Sequence, residues 1–387
     1  MISNNNISPL VIEALNDLVR HGLVDIQTAM EKLFNALMTI ERECVLQAKP
    51  YERSEFRQGH ANGFKDKTLH TRCGDLHLKV PQTRDSSFYP SCLEKGERTE
   101  RALKLTLAEM YVQGVSTDRV KKVTEELCGT EFSSMQVSRM AAILDDEVAQ
   151  FKQRPLGEMP YLYLDAHYEK VRHGGHVINA AVLKAVGVTR EGYRQILDIS
   201  VSLSEAEVHW RGFLEGLQRR GLSGVTLIIS DDHPGLKAAL RSIFPTVPWQ
   251  RCIFHLAQNA QHYAPNQSMR QEVAQIVRDI HSATSRSEAE TNLQRAVKQY
   301  EEKAPRFIRW LQENMNEGFT FYAFPRTHWK MIRTVNLVER LNQEIKRRTR
   351  VARLFPHEAS CERLVAAIAI GLNEDWATEN KRYMRFC

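Results

Sequence analysis

The chain has 387 residues, 42% of them hydrophobic and 26% charged, and carries a net charge of +6. That length allows two or three domains with real cores, and the composition excludes a disordered or fibrous protein. No stretch is apolar enough to span a membrane, and the polar opening MISNNNISPL lacks the layout of a secretory signal, so a cytoplasmic protein with no membrane partner is expected.

Apolar residues spaced near 3.6 over residues 8–45 predict helices, the second over about residues 25–46. A polar stretch follows, and its turn signals at Asn62-Gly63 and Gly74-Asp75 predict a small β-hairpin near residues 67–81. Residues 99–150 read as helical again. Within them GVSTDRVKKVTEELCGTEFSSMQVSRMAAIL gives a helix, a turn at Gly129 and a second helix, with Ser133 and Gln136 spaced as a capping box. This is helix-turn-helix spacing, and it offers Gln136, Ser138 and Arg139 as candidate DNA contacts, although short helix pairs are common in ordinary bundles. RPLGEMP reads as a linker.

Beyond Pro160 the pattern changes. YLYLDAHYEKVR is a strand, Gly174-Gly175 a hairpin turn, and VINAAVLKAVGV and YRQILDISV two more strands. A helix from Ser204 to Arg220 follows, capped by Ser204, with Val208, Trp210, Phe213, Leu214 and Leu217 on its apolar side. Then come the strand GVTLIIS, a helix from Pro234 to Phe244 and a short strand at WQRC. Three antiparallel strands followed by helix, strand, helix, strand is an α/β order with a mixed sheet, the order of an RNase H-like core. Residues 256–335 interrupt it with helices, and TVNLVERLNQEIKRRT gives one more.

Three acids stand out: Asp165 on the first strand, Asp231 at the end of the fourth, and Glu339 on the helix after the insertion. Each alone reads as an ordinary strand-end or surface carboxylate. Together they can gather at one sheet edge, where repulsion calls for cations, and Mg²⁺ prefers such oxygen ligands. The adjacent Asp232 reads as an incidental neighbour or helix cap. On the last helix, Leu337, Val338, Leu341 and Ile345 form an apolar face. Glu339 shares a polar strip with Asn336, Asn342, Gln343 and Lys346, while Glu344 lies beside the basic run. That run concentrates Lys346, Arg347, Arg348, Arg350 and Arg353, which suits DNA phosphates. The seven cysteines are odd in number and widely spaced, which fits free thiols. Cys252 and His255 have metal-like spacing but no second ligand pair, so no structural zinc is expected.

The segments EMYVQGVST, PYLYLDAHYEKVR, WRGFLEGLQRRGLSGVTLIISDDHPGL, WQRCIFHLAQN and TVNLVERLNQEIKRRTRVARLFP resemble a Mutator-type transposase of the bacterial insertion-sequence branch. The resemblance covers nearly the whole chain. It implies an RNase H-like catalytic core with a helical insertion, preceded by mainly helical DNA-binding and dimerisation regions. Its DDE triad falls on Asp165, Asp231 and Glu339, holding two Mg²⁺ or Mn²⁺ ions. Its C-x-x-H signature falls on Cys252 and His255, and its W-x-x-FL pattern on Trp210; His233 and His255 could orient a water or phosphate, with core or cap roles as the equal alternative. Asp198 stands where the family more often has glycine. The implied layout is an N-terminal DNA-binding and dimerisation region over 1–98, a helix-turn-helix-like region over 99–157, the core over 158–255 and 336–387, and the insertion over 256–335. The expected partners are transposon ends, target DNA and a second copy of the chain. The alternative is a catalytically silent DNA-binding regulator derived from a transposase.

Overall fold

A computed structural model of the chain describes residues 12, 16, 19, 26–53, 55–84, 88–350, 354–379 and 381–386. Most of the first expected helix, and Arg353 of the basic run, lie outside this set. The chain divides into two compact units, Met1–Tyr111 with Val115–Ile143, and Val112–Gly114 with Leu144–Cys387.

In the first unit α1 (Ile26–Leu46) packs on the hairpin of β1 (Ala61–Thr71) and β2 (Gly74–Thr83). Leu76, Leu78 and Val80 alternate along β2, so they share one face and meet Met38. The strands turn between Thr71 and Gly74, which are paired. Asn62-Gly63 makes no turn. It lies inside β1 where the register shifts between Ala61 and Phe64, and Gly63 takes a φ of 71°. One extra residue in a strand demands such a bend, and glycine supplies it as readily as it supplies a turn.

The helices α2 (Arg101–Val112), α3 (Thr117–Cys128) and α4 (Ser134–Met140) follow. α3 stops at Gly129, whose left-handed backbone lets its N–H bond Glu125 O. Ser133 and Gln136 form the expected reciprocal capping box of α4. Leu103, Leu107, Val120, Phe132 and Val137 are the shared core.

The second unit opens with α5 (Asp145–Gln153). The expected linker after it is fastened rather than loose. Leu156 N donates to Arg220 O at 2.7 Å, Met159 N donates to Ser223 O at 2.9 Å, and Met159 is buried. Its proline and glycine signal an irregular path, not freedom.

The sheet comprises β3 (Tyr161–His173), β4 (His176–Val188), β5 (Arg194–Ser202), β6 (Leu227–Ser230) and β7 (Trp249–Arg251), in the order β5-β4-β3-β6-β7. β3, β4 and β5 are antiparallel; β6 and β7 run parallel to β3. The fold is therefore mixed α/β. α6 (Glu207–Arg219) and α7 (Pro234–Ile243) cover one face, where Leu162, Leu164, Leu183 and Ile228 meet Trp210, Leu214, Leu236 and Leu240. α6 differs from expectation in two ways. Ala206, not Ser204, is its N-cap, and the Ser204 hydroxyl accepts from Ala206 N at 3.3 Å within the preceding loop. Val208 is 69% exposed, because two residues turn a helix about 200° away from Trp210.

The insertion carries α8 (Ile253–Ala260), α9 (Arg270–His281), α10 (Arg286–Tyr300), α11 (Pro305–Asn314) and the short α12 (Trp329–Ile332). Leu256, Val277, Phe307, Leu311 and Phe319 belong to a core of its own. α13 (Asn336–Thr349) and α14 (Glu358–Thr378) return to the sheet.

Trp210 is fully buried at the centre of the α6 face. Trp210→Ala is expected to lower stability by about 3–5 kcal/mol, measured as a shift in urea midpoint; a loss below about 1 kcal/mol would show that this core collapses around the gap.

Candidate functional site

β3, β6 and β7 are parallel neighbours, so their carboxyl ends lie side by side. The bonded register pairs Tyr163 with Ile229 and Ser230 with Arg251. Continued past the last pairs, it sets Asp165 level with Asp231 and Asp231 level with Cys252, on strands about 4.8 Å apart. Open sheets present their ligand sites at such carboxyl ends.

Asp165 is buried, and its support comes from two directions. Directly across the hairpin is Lys184, whose ammonium lies 3.3 Å from Asp165 Oδ2. From α13, the Asn342 amide donates to the same oxygen at 2.6 Å. Lys184 is itself fully buried and spends all three of its N–H donors: on Asp165, on Asn342 Oδ1, and on His167 Nδ1 at 2.7 Å. His167 Nε2 turns to Glu169 at 3.2 Å, and Thr349 donates to Glu169 at 2.9 Å. Asp165, His167 and Glu169 share a strand face at spacing two, and Asn342 and Thr349 share a helix face at spacing seven. One ladder of polar contacts thus fixes α13 along β3.

The charges follow from this packing. Burial pushes the Asp165 carboxyl up, but Lys184, Asn342 and His255 outweigh it and hold the group below its usual range. Burial pulls Lys184 down to about 8 against the attraction of Asp165. Burial, then the Lys184 charge, pulls His167 down to about 4, which keeps Nδ1 an acceptor.

Glu339 lies one turn before Asn342 in the first turn of α13. Burial raises its carboxyl above the usual range, with Asp165 adding to the rise and His255 opposing it. Its Oε1 is buried without a hydrogen-bond partner. The donor atoms of Cys252, His255 and Glu339 all lie within 4.8 Å of one another. Leu337, Val338, Leu341 and Ile345 are buried as the apolar face predicts, and Glu344 pairs with Arg347 at 2.9 Å.

The adjacent aspartates after β6 separate cleanly. Asp231 Oδ1 accepts from Asp232 N at 2.7 Å and makes no ion pair among the described residues. Asp232 turns away into a network with Lys237 at 2.9 Å and Arg251 at 3.0 Å, both also bonded to Glu317. Asp232 does not cap α7 either, since the N-cap is His233.

The profile described as Transposase, Mutator family, matches residues 12–379. The chain belongs to that family. It is 50% identical over 371 residues to the transposase for insertion sequence element IS406 of Burkholderia multivorans, covering 95% of each chain. It is 42% identical to the transposase for ISRM5 of Rhizobium meliloti, over 92% of this chain and 88% of that one. It is 35% identical to the transposase for IS256 in transposon Tn4001 of Staphylococcus aureus, over 97% of both. A Drosophila P element transposase strand transfer complex aligns at a TM-score of 0.32 and 10% identity, over 73% of this chain and 82% of that one, too remote to add to the assignment.

In this Mutator-family chain the other expected residues fall in varied places. Trp210 lies in the core on the face of the sheet opposite Asp165. His233 Nδ1 is 3.8 Å from Glu205. Asp198, buried on β5, pairs with Arg220 at 3.0 Å, so it braces a sheet edge. Gln136 and Arg139 are exposed in the first unit, and Gln136 Oε1 already accepts from Ser133 N in the capping box. Lys346, Arg347 and Arg350 are exposed and Arg348 is half-buried. No described helix is long and apolar enough to cross a membrane. The residues absent from the sequence reading are Lys184, Asn342 as a partner of Asp165, and His167. A signal for Lys184 was present: it is the one charge within an apolar strand, and folding about Gly174-Gly175 sets it opposite Asp165.

Lys184→Met would strand a buried carboxylate without its counter-charge, a loss of about 3–5 kcal/mol. Adding Asp165→Asn should recover most of it. Urea denaturation of the two single variants and the double variant measures the coupling; strictly additive losses would show that the pair does not act as one unit.

Proposed function

We propose that this transposase cuts and joins DNA through an RNase H-like core in which Asp165, Asp231 and Glu339 form a DDE triad. The observation that carries the reading is the parallel register of β3 and β6, which pairs Tyr163 with Ile229 and, extended by two residues, would bring Asp165 level with Asp231 at the carboxyl edge near the helix bearing Glu339. The sheet order, and a helical insertion between the second aspartate and the glutamate, agree with it. All three acids are present, which favours an enzyme over a silent regulator.

The donor set fits hard divalent cations. Lys184 and Asn342 both engage Asp165 Oδ2, so Oδ1 lies outside that pair. Glu339 offers a buried, unpartnered oxygen. Asp165, Asp231 and Glu339 would hold two Mg²⁺ or Mn²⁺ ions, which supply activation of the attacking oxygen and stabilisation of the leaving one. The chain's own task is to fix these oxygens. Lys184 and Asn342 stop Asp165 from rotating, and the buried face of α13 aims Glu339. Water would attack a phosphodiester at the transposon end and release a 3′-OH; that hydroxyl would then attack a target phosphodiester and release a new 3′-OH.

The names of the relatives point to the ends of an insertion sequence as substrate. The helix pair α3–α4, with Arg139 and Gln136, and the cationic surface of Lys346, Arg347, Arg348 and Arg350 are the proposed contacts to duplex DNA. Two ends must be held together, so a homodimer is the proposed working state.

Asp165→Asn, Asp231→Asn and Glu339→Gln should each abolish cleavage and joining in Mg²⁺ while end-binding in a gel shift persists. Asp232→Asn and Glu344→Gln should keep substantial activity at equal folded content. Near wild-type cleavage by any of the first three would rule out the triad. Glu344→Gln losing more than Glu339→Gln on pre-cut and uncut ends would place the acidic ligand on the wrong turn of α13.

A further inference from the structure

Cys252 follows β7 directly, and its main chain closes onto the sheet through Cys252 N to Ser230 O at 2.8 Å. It is the N-cap residue of α8, and its sulfur accepts Val335 N at 3.4 Å from the N-cap position of α13. The sulfur is therefore held between the first turns of two helices. His255 sits one turn into α8, and Glu339 one turn into α13. Both side chains lean toward the sulfur, and the three donor atoms fall within 4.8 Å of one another. Two buried atoms at this spot, His255 Nδ1 and Glu339 Oε1, have no hydrogen-bond partner. Buried polar atoms without partners are uncommon, and an unfilled ion site is one cause.

We propose that Cys252, His255 and Glu339 form a site for a soft divalent cation such as Zn²⁺, and that its occupation takes Glu339 out of use. Thiolate, imidazole and carboxylate together match zinc, and Mg²⁺ does not take sulfur. Three protein ligands leave the fourth tetrahedral position open, the pattern of an exchangeable site rather than a structural one. On binding, the thiol releases its proton to solvent and the metal takes its place. The carboxylate, held by the same ion as the sulfur, is then not free for a cation shared with Asp165 and Asp231. Zinc thereby becomes an inhibitor of DNA cleavage. This inhibitory consequence rests on the catalytic reading of Glu339; metal binding itself does not.

The two are tested apart. Full-length protein without DNA is titrated with CoCl₂, whose sulfur-to-metal absorption reports a Co²⁺–thiolate bond. The wild type is expected to show the band and lose it when ZnCl₂ is added. Cys252→Ser should lose the band that zinc displaces, any residue of absorption being that of the other free thiols. His255→Ala and Glu339→Gln, which leave the thiol in place, should bind at least about tenfold more weakly, since even outer partners of a metal site cost that much. No thiolate band in the wild type, or an unchanged band in Cys252→Ser, overturns the site. Unchanged affinity in both His255→Ala and Glu339→Gln overturns it as well, and covers the case in which Cys252→Ser fails to fold. In a second arm, wild-type cleavage in Mg²⁺ should fall about tenfold or more at Zn²⁺ levels that fill the site and return on chelation. Zinc that fills the site without slowing cleavage overturns the inhibition. Cleavage by Glu339→Gln in Mg²⁺ without zinc reports on the triad alone.

Discussion

Asp165 and Lys184 meet across two central strands, the lysine fully buried and the aspartate nearly so. Each would be costly to bury alone, so each makes the other tolerable. The lysine exhausts its donors on three side chains from the neighbouring strand and one helix, which turns a pair into a joint. Asn342 belongs to that joint, and Glu339 lies one turn away on the same helix. The depth and rotation of α13 therefore follow from how one carboxylate is neutralised.

The second constraint is the insertion. It has its own apolar core, and it separates β7 from α13 by many residues while returning both to one place. The starts of α8 and α13 converge on the Cys252 sulfur, so the two ends of the insertion are joined at the sheet edge. Helix starts project unpaired N–H groups, which suits a site meant for negatively charged atoms.

Much of this was legible in the chain. The doubled glycine at 174 and 175, the apolar strands, and the periodicity of Leu337, Val338, Leu341 and Ile345 each report a local rule that packing here obeys. Ser133 with Gln136 is local too. The failures came where one residue serves two purposes. Ser204 can cap a helix or bond within a loop, and Gly63 can turn a hairpin or bulge a strand. The meeting of Cys252 and His255 with Glu339 was not legible, since nothing in either segment states how far the intervening helices carry the chain before it returns. Lys184 lay between these cases, readable only by pairing positions across the hairpin.

The insertion also orders events in time. Asp165 and Glu339 are separated by about 170 residues of chain, so at roughly 5–20 residues per second a ribosome needs roughly 9–35 s to pass from one to the other. For that interval the two strands carrying Asp165 and Lys184 exist without their clamping helix. A nascent chain can finish the first three strands of its sheet, yet the acidic edge stays incomplete until a whole helical subdomain has been made and has folded back. Premature termination anywhere in that stretch leaves a fragment with its N-terminal unit and without Glu339, so errors of synthesis yield products lacking at least one of the three acids.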